Sequence, residues 1–533
     1  MRPTVNHILA DHVSLEVRSI DRLYINGYVP KLQTGGQVFA FLHQHLGFTI
    51  PSPTMLGRLG ERYRAEVKRF IEANDIPLIR FHSGQRKDDV AKEVRRAHPI
   101  ETGIDFLGVA QEKSKSFKGR KRPTPTGSVT FDFSRQWVFV NQLYFYLQDP
   151  EWGPAFIKIG TYIPYPVKIC LNGHEWLKQQ LGREGIAFES LDNGFLSCAN
   201  PRRLQQLADQ LGPDHIQDFF RRWSAVLPWP LTPQDRQAGY DHRLSLWQLE
   251  CSATHVFDRP VEGRHFFDGV IRANLDLGRP DRVRLLFPGR HTSRTVPPVY
   301  GYRTRVITLG VDPSLHVEYK HSHVKQYFKE GRALRTETTI NNPADFGVRK
   351  GLPNVWKLKA LGQSVNQRLL ETERIADDAA LDPDEFDALQ RPTTCEGQRV
   401  SALRFADPRV MALFRALCLY ALQIGGFRSR DLRPLLERLL TTPYTANQMT
   451  YDLRRLRRRG LIVRTPHTHH YLVTPLGIRF AYTLTKIHQR LLKPAWATLL
   501  PAPTAPPQAV EALRVIDQYL RELQAHASLP DAA

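Results

Sequence analysis

The sequence predicts a multidomain α+β protein. Three observations carry that expectation. The chain has 533 residues, more than a single hydrophobic core serves. Its hydrophobic fraction of 41% and charged fraction of 24% are those of an ordinary soluble globular chain. Apolar residues recur at helical spacing in some stretches and alternate as in strands in others.

Residues 1–100 read as mostly helical. In PSPTMLGRLGERYRAEVKRFIEAND, the residues Leu56, Leu59, Tyr63, Val67 and Phe70 fall at helical spacing, and LIRFHSGQRKDD follows as a short strand and a basic turn. Over 101–250 the period changes: IDFLGVAQEKSKSFKG, SVTFDFS, WVFVNQLYFYLQD and PAFIKIGTYI are rich in β-branched and aromatic residues and predict a sheet. HEWLKQQLGREGI, PRRLQQLADQL and IQDFFRRWSAVL return to helix, with Gly185 as the stop of the first. Residues 251–376 form a second α+β region, with strands VRLLFPG, RTRVITLGV, LHVEYKHS and LRTETTIN and then a long helix. Residues 377–400 are acidic and poor in apolar positions and read as a linker. A C-terminal domain occupies 401–492, and 493–533 holds a Pro-rich hinge, PAPTAPP, and an amphipathic helix.

The net charge of +21 and pI near 9.8 imply an anionic partner, nucleic acid before a membrane surface. No apolar run reaches the ~18 residues of a membrane span. The start, MRPTVNHILADHV, lacks the sustained apolar core of a signal peptide. Cys170, Cys198, Cys251, Cys395 and Cys418 stand singly with no CxxC pair, which suits a reducing compartment and argues against a zinc ribbon or dithiol. The expected location is cytoplasmic, and the Arg- and Pro-rich composition suits a bacterial source.

The stretch TANQMTYDLRRLRRR, residues 445–459, reads as one helix with a dry face and a basic face. Thr445 and Gln448 have capping-box spacing. Met449, Leu453 and Leu456 share a buried stripe, and Asn447, Tyr451, Arg454 and Arg458 lie about 140–200° around the helix from Met449. Residues 401–500 hold 17 Lys and Arg against four Asp and Glu, an excess of +13 and more than half the charge of the chain. Two helices precede the basic one: DPRVMALFRALCLYAL, with Asp407 as cap, and RDLRPLLERLL, with Asp431 as cap. Gly460 stops it; LIVR and HHYLV follow as two short strands, and a helix capped by Thr474 closes the run.

This order of elements resembles the winged helix-turn-helix family of DNA-binding domains over about ninety residues. The resemblance implies that the basic helix enters a major groove and the ribbon tip, Thr465 to His469, touches the flanking backbone. By position, Asn447, Tyr451, Arg454, Arg455 and Arg458 then face base edges or phosphates. Thr445 and Thr450 hold phosphate near the helix start, and His469 sits at the ribbon. Double-stranded DNA is the partner implied, and a fragment starting near residue 400 is expected to fold and bind by itself.

Chemistry is less marked in the first four hundred residues. There is no GxxxxGK[ST] loop, no GxGxxG after a strand and no GxSxG. His174-Glu175 starts like the zincin HExxH but has Lys178 where the second histidine belongs. His316 and Glu318 share a strand face and can hold a divalent metal, magnesium or manganese, if the chain is an enzyme. Tyr327 lies between Lys325 and Lys329, where cations can stabilise a phenolate that attacks a phosphodiester. KQYFK with LRTE resembles the tyrosine and sheet segments of rolling-circle replication initiators. The competing reading is a basic strand-turn-strand holding nucleic-acid backbone through Lys325, Lys329 and Arg335. Asp105, Glu112 and Asp132 near strands offer carboxylate-based nuclease chemistry as another alternative.

EKSKSFKGRKRPTPTG reads as a basic arm joining two strands, with Lys113, Lys115, Lys118, Arg120, Lys121 and Arg122 as backbone contacts around Phe117. Tyr144 and Tyr146 form either a core face or a stacking face for single-stranded DNA or RNA. The function expected is a DNA-binding protein of a mobile genetic element or its control. The alternatives are a nicking, recombining or replication-initiating phosphodiesterase, and an RNA-binding protein.

Overall fold

In the computed structural model of the protein, the first long element is a strand. β1 (Val13–Tyr28) lies inside the stretch expected to be mostly helical. Its apolar residues Leu15, Val17, Leu23 and Ile25 are buried, each two residues from the next of its pair, and strands on both sides complete its ladder. The structure describes residues 4–123, 129–274, 282–286, 302–309, 312–377, 381–493 and a few single positions up to 519. The chain is α+β and divides into two compact units, Val13–Asp258 with Lys320–Asn366, and Met1–His12 with Arg259–Tyr319 and Gln367–Ala533.

The first of these, the sheet unit, contains β2 (Leu78–Arg80), β3 (Gly103–Pro123), β4 (Val129–Asp149), β5 (Gly153–Gly160), β6 (Val167–Asn172), β9 (Arg243–Phe257), β13 (Ser322–Lys329) and β14 (Ala333–Ile340). With β1 they run in the order β13-β14-β9-β1-β6-β5-β4-β3-β2. A separate hairpin pairs β7 (Phe188–Leu191) with β8 (Gly194–Cys198). The helices are α2 (Gly35–Ala40), α3 (Pro53–Ala73), α4 (Lys87–Ala97), α5 (Gly173–Arg183), α6 (Pro201–Gln210), α7 (Pro213–Val226) and α8 (Pro233–Gln237).

Leu143, Phe145 and Leu147 of β4 join the main core with Leu56, Tyr63 and Val67 of α3 and Trp176 and Leu177 of α5. On alternate positions, Tyr144 and Tyr146 enter a second, smaller core with Phe106 and with Ala91 of α4. Along β4, β5 pairs only with Gln142–Asp149, so Gln111–Pro123 and Val129–Asn141 continue as a two-stranded ribbon about 40 Å long. The ribbon is laid against α2: a Cβ on Gly35 would fall 1.9 Å from the carbonyl oxygen of Phe133, so only glycine permits this approach.

In the other unit, α1 (Val5–Asp11), α9 (Val261–Asn274), β10 (Arg282–Leu286), β11 (Tyr302–Leu309) and β12 (Asp312–Tyr319) precede the C-terminal segment. The long helix α10 (Val355–Asp377) starts in the sheet unit and contributes its last residues here. The acidic stretch expected to be a linker is folded: α11 (Pro383–Gln390), β15 (Thr393–Cys395) and β16 (Gln398–Val400) follow one another. Asp382 caps α11, and Leu389 and Val400 are buried. The hinge and last helix expected over 493–533 lie almost wholly outside the described residues.

Next come α12 (Pro408–Leu417), α13 (Tyr420–Gly425), β17 (Phe427–Arg428), α14 (Ser429–Leu440), α15 (Ala446–Arg458), β18 (Ile462–Arg464), β19 (His470–Val473) and α16 (Pro475–Ile487). The three strands pair in the order β17-β19-β18. Asp407 and Thr474 cap α12 and α16, and Asp431 accepts the Arg428 N–H one turn into α14. The first helix expected through Leu422 is broken after Leu417, and its end belongs to the separate α13, which is buried along its whole length.

Candidate nucleic-acid interface

α15 begins with the capping box expected of it. Thr445 Oγ1 accepts the Gln448 N–H at 3.2 Å and Gln448 Oε1 accepts the Thr445 N–H at 2.8 Å. Met449, Leu453 and Leu456 are buried, and Asn447, Thr450, Tyr451 and Arg454 are exposed on the far side. Asp452, the helix's one acid, is fully buried and accepts from Arg409 Nε at 2.7 Å and from the Tyr444 hydroxyl. It ties α15 to α12 and turns the cationic face outward, a role the sequence reading missed. The signal available was a lone carboxylate among five arginines, next to the dry stripe.

Beside α15, β18 and β19 join through a tight turn. Arg464 Nη2 lies 3.2 Å from His469 Nδ1, and His467 adopts a positive φ of 57°. Arg457 is exposed and, with Arg458 and Arg464, lines the depression between the end of α15 and this turn.

The short β15–β16 hairpin and the residues after it also meet α15. Tyr451 Oη donates to Ser401 Oγ at 2.9 Å, and Arg454 Nη2 donates to Gln398 Oε1. Arg455, expected to face DNA, is instead 11% exposed. Its guanidinium lies 3.3 Å from Asp452 Oδ1 and donates to the Ala402 carbonyl at 3.4 Å, because its position on the helix faces this covering segment. Arg459 is spent likewise on the carbonyls of Ala388, Arg391 and Ser401.

In the sheet unit the basic residues Lys113, Lys115, Lys118, Arg120, Lys121 and Arg122 stand on β3 itself rather than on a loop, since the strand runs to Pro123. Tyr144 and Tyr146 are not open to stacking; both are buried. Trp137 and Phe139, on the adjoining ribbon, are 60% and 69% exposed. The three candidate carboxylates are dispersed among cations: Asp105 Oδ2 meets Arg95 Nε at 2.7 Å, Asp132 lies 3.6 Å from Arg122, and Glu112 binds Lys87, Lys158 and Tyr144. Burial opposes ionisation of Glu112, but these hydrogen bonds outweigh it and hold its carboxyl down at about 2.

Tyr327 departs from the nucleophile expectation. Its hydroxyl donates to Glu337 Oε1 at 2.8 Å. Burial first and then Glu337 push the phenol well above its usual range, although Lys325 Nζ sits 4.0 Å from the ring centre. A phenol held neutral beside a carboxylate is the reverse of a stabilised phenolate. Arg335, expected to touch nucleic-acid backbone, is fully buried. It meets Asp21 Oδ2 at 2.7 Å and His174 Nε2 at 2.8 Å and donates to the Asn193 carbonyl, because β14 is an inner strand with both faces covered. Lys329 is only 11% exposed and lies 3.4 Å from Glu330. His316 Nε2 is 2.9 Å from Ser314 Oγ, and Glu318 shares its strand face, yet no group of three or more His, Cys, Asp or Glu is placed to hold a metal among the described residues. None of the helices among the described residues is long and apolar enough to cross a membrane.

No protein-family model, curated protein or solved structure matches this chain.

Proposed function

We propose that the C-terminal segment binds double-stranded DNA as a winged helix, with α15 in the major groove and the β18–β19 turn on the neighbouring backbone. One observation carries the reading. The outward face of α15 presents an amide, a hydroxyl, a phenol and guanidinium groups at Asn447, Thr450, Tyr451, Arg454 and Arg458, while its apolar stripe and its one acid point inward. Such a face offers donors and acceptors to base edges and charge to phosphates. The hairpin and the residue after it meet Arg454 and Tyr451 through the neutral Gln398 and Ser401, while Glu396 of the hairpin lines the depression beside Arg457 and Arg458. With Arg455 and Arg459 spent within the chain, Arg454, Arg457 and Arg458 remain as the guanidinium contacts, with Arg464 and His469 at the turn. The setting we favour is a mobile genetic element or its control.

The test is a salt titration of duplex binding with Arg454→Ala/Arg458→Ala. Affinity should fall, and the slope of log K against log salt should flatten by about 0.9 for each phosphate that the variant no longer neutralises. An unchanged slope and affinity would remove α15 from the interface.

A further inference from the structure

A groove of about 450 Å³ opens on the sheet unit where the ribbon leaves the sheet. It is lined by Tyr28, Trp137 and Trp247 and by Lys115, Lys158 and Lys168. The three aromatic rings are 38%, 60% and 45% exposed, an unusual investment of large apolar surface in water. Each tryptophan carries a cation: Lys115 Nζ lies 5.3 Å from the Trp137 ring centre, and Lys168 Nζ 3.3 Å from that of Trp247.

The lysines are arranged against their own interest. Lys158 and Lys168 are directly opposite one another on β5 and β6, a like-charge pair that destabilises a sheet. Glu112 pairs directly with Lys158 and attracts Lys168 only from further off, without an ion pair to it among the described residues. Burial and then Lys158 push its ammonium down to about 8. An anion seated between the two strands would relieve that repulsion. Exposed indole and phenol rings with interleaved lysines are what a nucleic-acid strand with free base faces and a phosphate backbone requires.

We infer that this groove binds single-stranded DNA, the bases stacking on Trp137 and Trp247 and the phosphates meeting Lys168 and Lys115. The choice of DNA over RNA rests on the duplex-DNA reading of α15; the groove itself does not.

The experiment titrates the full chain with oligothymidylate, following tryptophan fluorescence and anisotropy. Binding should quench the tryptophans. Trp247→Ala and Trp137→Ala should each weaken it about fivefold or more, as loss of one stacked base does. Trp247→Phe should retain most of the affinity, which a merely unfolded variant would not. Lys168→Ala should lower the salt slope by about 0.7, the value for one phosphate of a single strand. Arg454→Ala/Arg458→Ala should leave the tryptophan quench by oligothymidylate unchanged, since that signal arises in the groove, so failure of the α15 reading shows in the duplex titration and not in the quench. Unchanged affinity in both Trp→Ala variants overturns the groove, and tenfold tighter binding of oligouridylate overturns the assignment to DNA.

Discussion

Arg335 carries a full charge into the interior of the sheet unit, where Asp21, Glu337, His174 and the Asn193 carbonyl surround it. His174 Nε2 in turn lies 3.1 Å from Ser252 Oγ. Removing one partner of such a buried pair leaves the other charge stranded. Arg335→Ala should therefore destabilise the protein by about 3–5 kcal/mol in urea unfolding. The triple change Asp21→Asn/Glu337→Gln/Arg335→Met, which removes both carboxylate charges with the guanidinium, should cost less than Arg335→Ala alone; an equal or larger destabilisation would contradict the pairing.

The same neighbourhood predicts a pH dependence. Burial and then Arg335 push His174 down to about 3, and burial pushes His242 down to about 4, where an unfolded histidine sits near 6.5. Between those values the unfolded chain binds more protons, so stability rises with pH. It should be complete above about 6.5 and fall as pH drops toward 4. Asp21 adds to this at lower pH: burial opposes its ionisation, but Arg335 and His174 outweigh that and hold its carboxyl below the usual range. Melting temperature followed from pH 8 to 4 tests the sign, and His174→Gln should flatten the slope.

At the scale of elements, α15 and the β15–β16 hairpin share one surface. The hairpin engages Tyr451 and Arg454 through Ser401 and Gln398. Replacing both with alanine should free those side chains and tighten duplex binding; weaker binding would instead make the hairpin part of the DNA surface. The register, cap and buried stripe of α15 were legible in fifteen residues, because each rests on contacts within one or two helical turns. The hairpin was not. Thr393–Val400 has too few apolar residues to show a period, and the hydrogen bonds it receives from α15 and its cap come from residues about sixty positions away in the chain. β1 failed to show for a related reason. Its mixed spacing of apolar residues becomes a strand only with β6 and β9 alongside.

For the molecule as a whole, the C-terminal segment does not stand alone. The ring of Tyr319 at the end of β12 packs so closely on Gly425 of α13 that a Cβ there would lie 2.4 Å from it. Arg368 of α10 donates to the Ile424 carbonyl at 3.2 Å. A fragment starting at 401 uncovers α13, so it should melt below the whole chain, by about 4–8 °C for each kcal/mol of stability removed. Calorimetry on both proteins checks this, and equal melting temperatures would show that the cover is dispensable.

The amino-acid order alone determined the α+β class, the charge excess of the C-terminal fifth, and the helix that carries it, since composition and short-range periodicity are local properties. Only tertiary structure decided which cations remain available. Arg335, Arg455 and Lys329 look identical in sequence to Arg454 and Lys115. The difference lies in neighbours brought from distant parts of the chain, which bury some charges beside carboxylates and carbonyls and leave others facing water.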